Sequence, residues 1–169
     1  SNGNLYITDG SLKIQSITDY SSAIDYDGTG FASGGTTWAI GHMGFAQGFS
    51  KGTKQAYIAA IVSGLAGDTI TITDSKGHIV AKTKADVDFD HVVFSNKTIK
   101  AGKTYTVTTS DGHKAVIKAT KDTTTHPSGR HVSKDTVPLL PNGHHPAFPG
   151  NGTPPNDKKI GRASCRERV

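Results

Sequence analysis

Apolar and polar residues alternate in two short runs near the start of the chain. Residues 5–7 read LYI and residues 12–14 read LKI, and a Thr-Asp-Gly turn at 8–10 separates them. An alternation of period two predicts short β-strands with one face turned inside. We therefore expect the flanking apolar residues to point inward, and Tyr6 and Lys13 to point outward.

The same pattern of residues returns further along the chain, always at the spacing that separates Gly3 from Gly28. We call this spacing the repeat offset. The matched positions are Gly3 with Gly28, Ile7 with Ala32, Gly10 with Gly35, Ser11 with Thr36, Leu12 with Thr37, and Ile14 with Ala39. A repeat of this length, with two short strands and recurring turn glycines, is typical of a solenoid of β coils. Each such coil buries its apolar side only against a neighbour, so the two copies need a cap or further coils.

Residues 22–50 join this repeat to the rest of the chain. Their seven glycines argue against a helix, because each glycine destabilises a helix interior. We expect Trp38, Phe45 and Phe49 to fill a core at this junction, and Tyr26 to lie at the surface with Tyr6.

Longer runs rich in Val, Ile, Thr and Tyr follow. They predict six strands, at 56–62, 69–73, 79–84, 91–94, 104–109 and 114–119. Turn residues at 74–77, 101–103 and 110–112 are typical of hairpin connections. The prediction is a small antiparallel β-sandwich that caps the coils.

The pattern ends near residue 120. All seven prolines follow it, which is typical of a disordered linker. The final segment, IGRASCRERV, holds the only cysteine and resembles translated adapter sequence, so we expect the natural chain to continue past residue 159. The predicted organisation is coils at 1–52, an antiparallel cap at 53–119, a linker at 120–159 and an artefact at 160–169.

The distribution of charged residues along the chain limits the classes of partner that we expect. The formal net charge is +5, but residues 1–116 contain ten Lys and ten Asp with no Arg or Glu, so the whole surplus lies in residues 117–169. We therefore expect no nucleic-acid partner. No apolar run is long enough to cross a bilayer, so we expect no membrane insertion.

Asp25 and Asp27 form the one acidic pair of the joining stretch. Because they are separated by a single residue, they would share a strand face, where a cation would relieve their repulsion. Calcium needs six to eight oxygen ligands, so Asp9 or Asp19, carbonyls and water would have to complete the shell. The alternative is that both are solvated residues at a coil corner.

Catalytic motifs are not apparent. The sequence shows no phosphate loop, zinc motif or Ser/His/Asp order, and His42 has no identifiable partner. We therefore expect no enzymatic activity, with a polysaccharide lyase or hydrolase as the least favoured function.

Seven blocks in the range 3–109 resemble, in the same order, the C-terminal part of secreted bacterial carbohydrate-binding domain proteins. The blocks are ITDGSLKI, AIDYDG, ASGGTTWAIG, GFAQGFS, AGDTITITDSKGHIV, FDHVVFSN and IKAGKTYTVT. Members of that family are right-handed parallel β-helices that bind calcium and polysaccharides such as cellulose and pectin. The resemblance implies terminal coils of such a helix, with several coils upstream. It also relates Asp25 to the second aspartate of the family's Asp-Gly-Ile-Asp calcium motif, although Ser22 and Ala23 replace the leading Asp-Gly.

Aromatic side chains in the coil region suggest how a sugar would be held. Tyr6, Tyr20 and Tyr26 could stack on sugar rings, with Lys13 as a polar neighbour. We expect a non-catalytic polysaccharide-binding protein, secreted or attached to a bacterial cell wall. The alternative is a structural spacer of a surface adhesin.

Overall fold

The computed structural model describes residues 3–18, 22–44 and 46–121. This part of the chain is all-β, as predicted, and contains no helix long and apolar enough to cross a membrane. Its ten strands are β1 (Leu5–Ile7), β2 (Ser11–Gln15), β3 (Gly30–Ala32), β4 (Thr36–Gly41), β5 (Tyr57–Gly64), β6 (Thr69–Asp74), β7 (Ile79–Lys84), β8 (Phe89–Ser95), β9 (Thr104–Thr109) and β10 (Lys114–Lys118).

The first four strands form two parallel pairs with the predicted repeat offset. β1 pairs with β3 and β2 pairs with β4, and the spacing between partners is constant, from Leu5 opposite Gly30 to Gln15 opposite Ile40. The predicted repeat register is therefore confirmed. One turn of chain stacks directly on the next.

Glycine is required where the two turns meet. Gly10 and Gly35 have φ angles of 87° and 76°, a region that side chains with a Cβ rarely adopt. Thr36 N donates to Gly10 O at 2.8 Å, which draws the two turns together. A Cβ on Gly35 would lie 2.7 Å from Gly10 O, whereas a Cβ on Gly10 would meet nothing within 4 Å.

The stacked strands continue into the sandwich through β4. One edge of β4 pairs in parallel with β2, and the other pairs antiparallel with β8, where Trp38 faces Phe94. The result is a mixed sheet of order β2-β4-β8-β5 facing a second, antiparallel sheet of order β10-β9-β6-β7. The predicted boundary between residues 52 and 53 thus falls inside a region that shares one sheet.

Two of the three predicted hairpins are confirmed. The turns at 74–77 and 110–112 connect the antiparallel pairs β6–β7 and β9–β10. The prediction for 101–103 is wrong, because β8 and β9 belong to different sheets and this turn carries the chain across. Gly102, with φ of 80°, donates its N–H to Ala119 O at 2.7 Å.

Apolar side chains pack on both faces of the mixed sheet. Trp38 belongs to the core between the two sheets, and Phe49 to a second core under β1 and β3, so the core prediction is confirmed for both. Phe45 lies outside the described residues. Leu12 was expected inside but is 36 % exposed, because β2 is the edge strand and nothing covers its outer side within the described chain.

We predict that Gly35→Ala destabilises the fold more than Gly10→Ala. Both substitutions place alanine at a positive φ, which costs about 1 kcal/mol or more. Only the first also drives a Cβ against the backbone of the neighbouring turn. Urea unfolding should give losses of about 1 kcal/mol for Gly10→Ala and at least about 2 kcal/mol for Gly35→Ala. Equal losses would contradict the stacked contact.

We also predict that stability depends on pH through His91. Burial on β8 lowers the pKa of His91 from 6.5 to about 4. Between these values the unfolded chain binds a proton that the folded chain does not, so stability falls as pH drops from 6.5 to 4, by about 3 kcal/mol. Urea unfolding at stepped pH should show this slope, and His91→Gln should remove it. A variant that retained the slope would refute the assignment.

Candidate functional site

An aromatic pair lies exposed across the first parallel pairing. Tyr6 on β1 stands opposite Phe31 on β3 in the repeat register. The ring centroids are 5.8 Å apart and the planes are tilted by only 27°, so the rings stack. Tyr6 is 61 % exposed, which confirms its predicted outward direction and leaves the ring accessible from solvent.

This pair forms one wall of an open cleft of about 340 Å³, which we call the aromatic cleft. It is lined by Tyr6, Ile7, Thr8, Phe31, Ala32, Ser33, Gly52 and Lys54. Stacked rings therefore lie beside two hydroxyls and an ammonium group. An aromatic platform with a few polar groups is a common form of ligand site.

The segment that follows β4 completes the cleft by running along β3. Ser50 N donates to Gly30 O at 2.7 Å, and Lys54 N donates to Ala32 O at 3.1 Å. Thr53 Oγ1 accepts from Ala32 N at 2.8 Å and donates to Ala32 O at 2.9 Å. These bonds use the edge of β3 that faces away from β1, and they hold Gly52 and Lys54 beside the Phe31 ring.

Asn4 orients the tyrosine. Its side-chain nitrogen donates to the Tyr6 hydroxyl oxygen at 3.2 Å, and its side-chain oxygen accepts from Thr29 N at 2.9 Å. The amide thus links the phenol of one turn to the backbone of the next. The platform is held before any ligand arrives, which lowers the entropic cost of binding.

Sequence reasoning missed Phe31, although the signal was present. Adding the repeat offset to Tyr6 gives Phe31, and in-register stacking places the two side chains on the same face. An aromatic ladder between neighbouring turns could have been predicted from the repeat alone.

Tyr26 was predicted at the surface, and this prediction is wrong. The residue is only 7 % exposed, and its hydroxyl donates to Gly48 O at 2.7 Å. Asp25 and Asp27 on either side are exposed, so the alternation turns Tyr26 inward with Ile24. The buried ring also approaches Gly30, where a Cβ would lie 2.5 Å from it. Tyr26 therefore supports β3 from inside.

The other two predicted sugar contacts lie elsewhere. Tyr20 lies outside the described residues. Lys13 does not line the aromatic cleft: its ammonium donates to Asp86 Oδ2 at 2.7 Å and to Lys84 O at 2.6 Å. Hydrogen bonds from Lys13 and then Gln15 lower the pKa of Asp86. Lys13 thus joins the coil strand β2 to the end of β7.

Asp25 and Asp27 are both exposed, as expected for alternate residues on one side. Among the described residues no group of three or more His, Cys, Asp or Glu side chains could hold a metal. Asp19 lies outside them, and Asp9 Oδ1 accepts from Gly10 N at 2.7 Å within its own turn. Backbone carbonyls and water would still have to complete the shell that calcium requires, so calcium at this pair stays a prediction.

His42 has a neighbour that the sequence did not reveal. Its Nδ1 lies 3.6 Å from Asp90 Oδ2, because the β4–β8 pairing continues past Gly41 and His91. This pair lies at the end of the mixed sheet and is not part of the lining of the aromatic cleft.

We predict opposite roles for the two tyrosine hydroxyls. Tyr26→Phe removes a buried hydrogen bond and should lower the free energy of unfolding by about 1 to 2 kcal/mol. Tyr6→Phe removes only an exposed bond to Asn4 and should change it by less than about 0.5 kcal/mol. Urea unfolding of both variants checks this, and a larger loss for Tyr6→Phe would contradict the burial pattern.

Comparison with known proteins adds no relative. No protein-family model matches the chain, and no curated protein or solved structure matches it. The functional argument therefore depends on the geometry of the chain and on its sequence blocks.

Proposed function

We propose that this chain is a non-catalytic module that binds a polysaccharide at the aromatic cleft. The observation that carries the proposal is the stacked pair of Tyr6 and Phe31, in which Tyr6 is exposed, Phe31 is partly exposed and the repeat register places the two rings opposite each other. Sugars bind such platforms by laying their C–H faces on the rings while their hydroxyls meet polar groups. Thr8, Ser33 and Lys54 supply those groups around the rings.

The shape of the cleft supports a chain-like ligand. It is open to solvent, and two aromatic rings from neighbouring strands stack against each other in its wall, with centroids 5.8 Å apart. A ligand with successive apolar faces can lie along such a row and extend beyond it at either end. A polysaccharide has this repeating form.

We further propose that β1 to β4 are terminal coils of a right-handed parallel β-helix. Two parallel pairings with one constant offset, and turn glycines in matched positions, support this. The sequence blocks that resemble the secreted bacterial carbohydrate-binding family support a protein that is secreted or attached to the cell wall.

We predict that removing the Tyr6 ring weakens binding. Retention on insoluble polysaccharides such as cellulose should fall about tenfold for Tyr6→Ala, since one stacked ring contributes roughly 1 kcal/mol or more. Phe31→Leu should weaken it too, because leucine lacks the flat face. Tyr6→Phe keeps the ring and loses only the exposed bond from Asn4, so it should bind more tightly than Tyr6→Ala, which would assign most of the effect to the ring.

Leu65→Ala is a matched control, because Leu65 is 63 % exposed but lies outside the aromatic cleft. It should bind like the parent protein. If Tyr6→Ala and Leu65→Ala were both retained as well as the parent, the aromatic cleft would not be the binding site.

A further inference from the structure

The outer face of the second sheet carries threonines and lysines in cross-strand rows, and we call this surface the threonine face. Its two central strands, β6 and β9, alternate in burial, so Ile70, Ile72, Tyr105 and Val107 point into the core and the threonines between them point out. One row runs Lys114, Thr108, Thr71, Lys82, and the next runs Val116, Thr106, Thr73, Ile79. Hydroxyl groups thus fill the two central strands. Lysines border the first row, and the exposed apolar residues Val116 and Ile79 border the second.

Positive charge on this face is not compensated by any ion pair within the described part of the chain. Lys82, Lys114 and Lys118 are exposed, and none of them makes an ion pair with a described carboxylate. No aspartate occupies either row. Residues 1–116 are formally neutral overall, so this local excess is visible only once the register is known.

The threonine face leads to a second cleft, of about 530 Å³, which we call the lysine cleft. Ile79 and Thr104 belong to the outer side of their strands and also line this cleft. Lys76, Lys100 and Lys103 line it as well, from the turns at that end of the sheet. Basic groups therefore continue from the face into the concavity.

Among the described residues that line this cleft, Asp74 is the one carboxylate, and it already accepts hydrogen bonds. Its Oδ1 accepts from Lys76 N at 2.8 Å and from His78 N at 2.9 Å. These bonds, led by that from His78 N, lower the pKa of Asp74 and stabilise the hairpin turn. The lysine ammonium groups of the cleft make no ion pair with any described carboxylate.

We propose that the threonine face and the lysine cleft bind a linear acidic glycopolymer, a chain of repeating carboxylate or phosphate groups and hydroxyls. Lys114 and Lys82 stand three strand spacings apart, about 14 Å, so anionic groups at intervals can meet them while the threonines bond to hydroxyls between. This site is separate from the aromatic cleft, from which the mixed sheet divides it, and it does not depend on the function proposed there.

Nucleic acid fits this face less well. Bases are held on single strands by exposed aromatic rings, and the two rows contain none. Tyr105, the aromatic residue in the lysine cleft, is 5 % exposed, and its hydroxyl accepts from Lys100 N at 2.9 Å. Recognition by charge and hydroxyls therefore favours a hydroxylated polyanion.

Titration calorimetry at about 20 mM ionic strength, where exposed charges are weakly screened, tests the proposal. The probes are alginate for carboxylates, poly(glycerol phosphate) for phosphates and dextran as a neutral polymer. At least one acidic polymer should bind, with affinity that falls as salt rises, and the tighter one identifies the anionic group. Failure of both to bind would overturn the proposal.

The lysine variants locate the site. Lys82→Gln with Lys114→Gln should weaken binding about fivefold to tenfold, as expected for two exposed charges. Lys51→Gln with Lys97→Gln removes the same charge from exposed positions outside the face and the lysine cleft, and should change it less than about twofold. Equal losses from both pairs would mean that net charge alone is responsible, and would overturn the proposal.

Two further measurements distinguish binding through the threonine hydroxyls from binding through charge alone. Thr71→Val with Thr106→Val keeps the β-branched shape but removes hydroxyls, and should weaken binding about threefold or more.

A DNA duplex should bind less tightly than the better glycopolymer. If the valine variant bound like the parent and DNA bound equally well, the glycopolymer assignment would be wrong. A loss of acidic-polymer binding in Tyr6→Ala as large as that in the Lys82/Lys114 pair would place the polymer at the aromatic cleft and would overturn the proposal.

Discussion

The double pairing of β4 is the constraint on which the rest of the structure depends. This strand must match β2 in parallel at the repeat offset, and at the same time match β8 antiparallel. Its side chains therefore serve two cores: Trp38 and Ile40 face the second sheet, while Ala39 faces the coil side. A shift of one position would exchange these faces and bury the wrong side chains, so both partners fix one register.

The same register creates the aromatic cleft. With the repeat offset fixed, Tyr6 and Phe31 must stack, and Gly34 and Gly35 must lie against the turn below. The segment after β4 then forms hydrogen bonds along the free edge of β3. The candidate site is thus a consequence of the stacking that supports the fold, and disturbing the stack would also disturb the site.

Local patterns predicted the elements well but not their connections. Alternation and turn glycines located all six sandwich strands and the offset of the first four, because both signals are encoded within short stretches of chain. The hairpin prediction for 101–103 is wrong because a glycine turn can either close a hairpin or connect two sheets. Only the pairing of distant strands decides between these two outcomes. The surface prediction for Tyr26 is wrong for a different reason. The residue alternates with two exposed aspartates, and this alternation turns its aromatic ring inward.

The sequence gives the net charge of the chain but does not show where the charges lie on its surface. Equal numbers of lysine and aspartate in residues 1–116 suggested that the chain has no nucleic-acid partner. In the fold, several aspartates already have partners: Asp74 closes a hairpin, Asp68 accepts from Leu65 N in its own turn, and Asp86 accepts from Lys13 of a distant strand. Strand alternation meanwhile places Lys82 and Lys114 at the two borders of one face. Neutrality of a chain therefore says little about the field at one of its surfaces, because turns use carboxylates to hold the backbone while lysines extend outward.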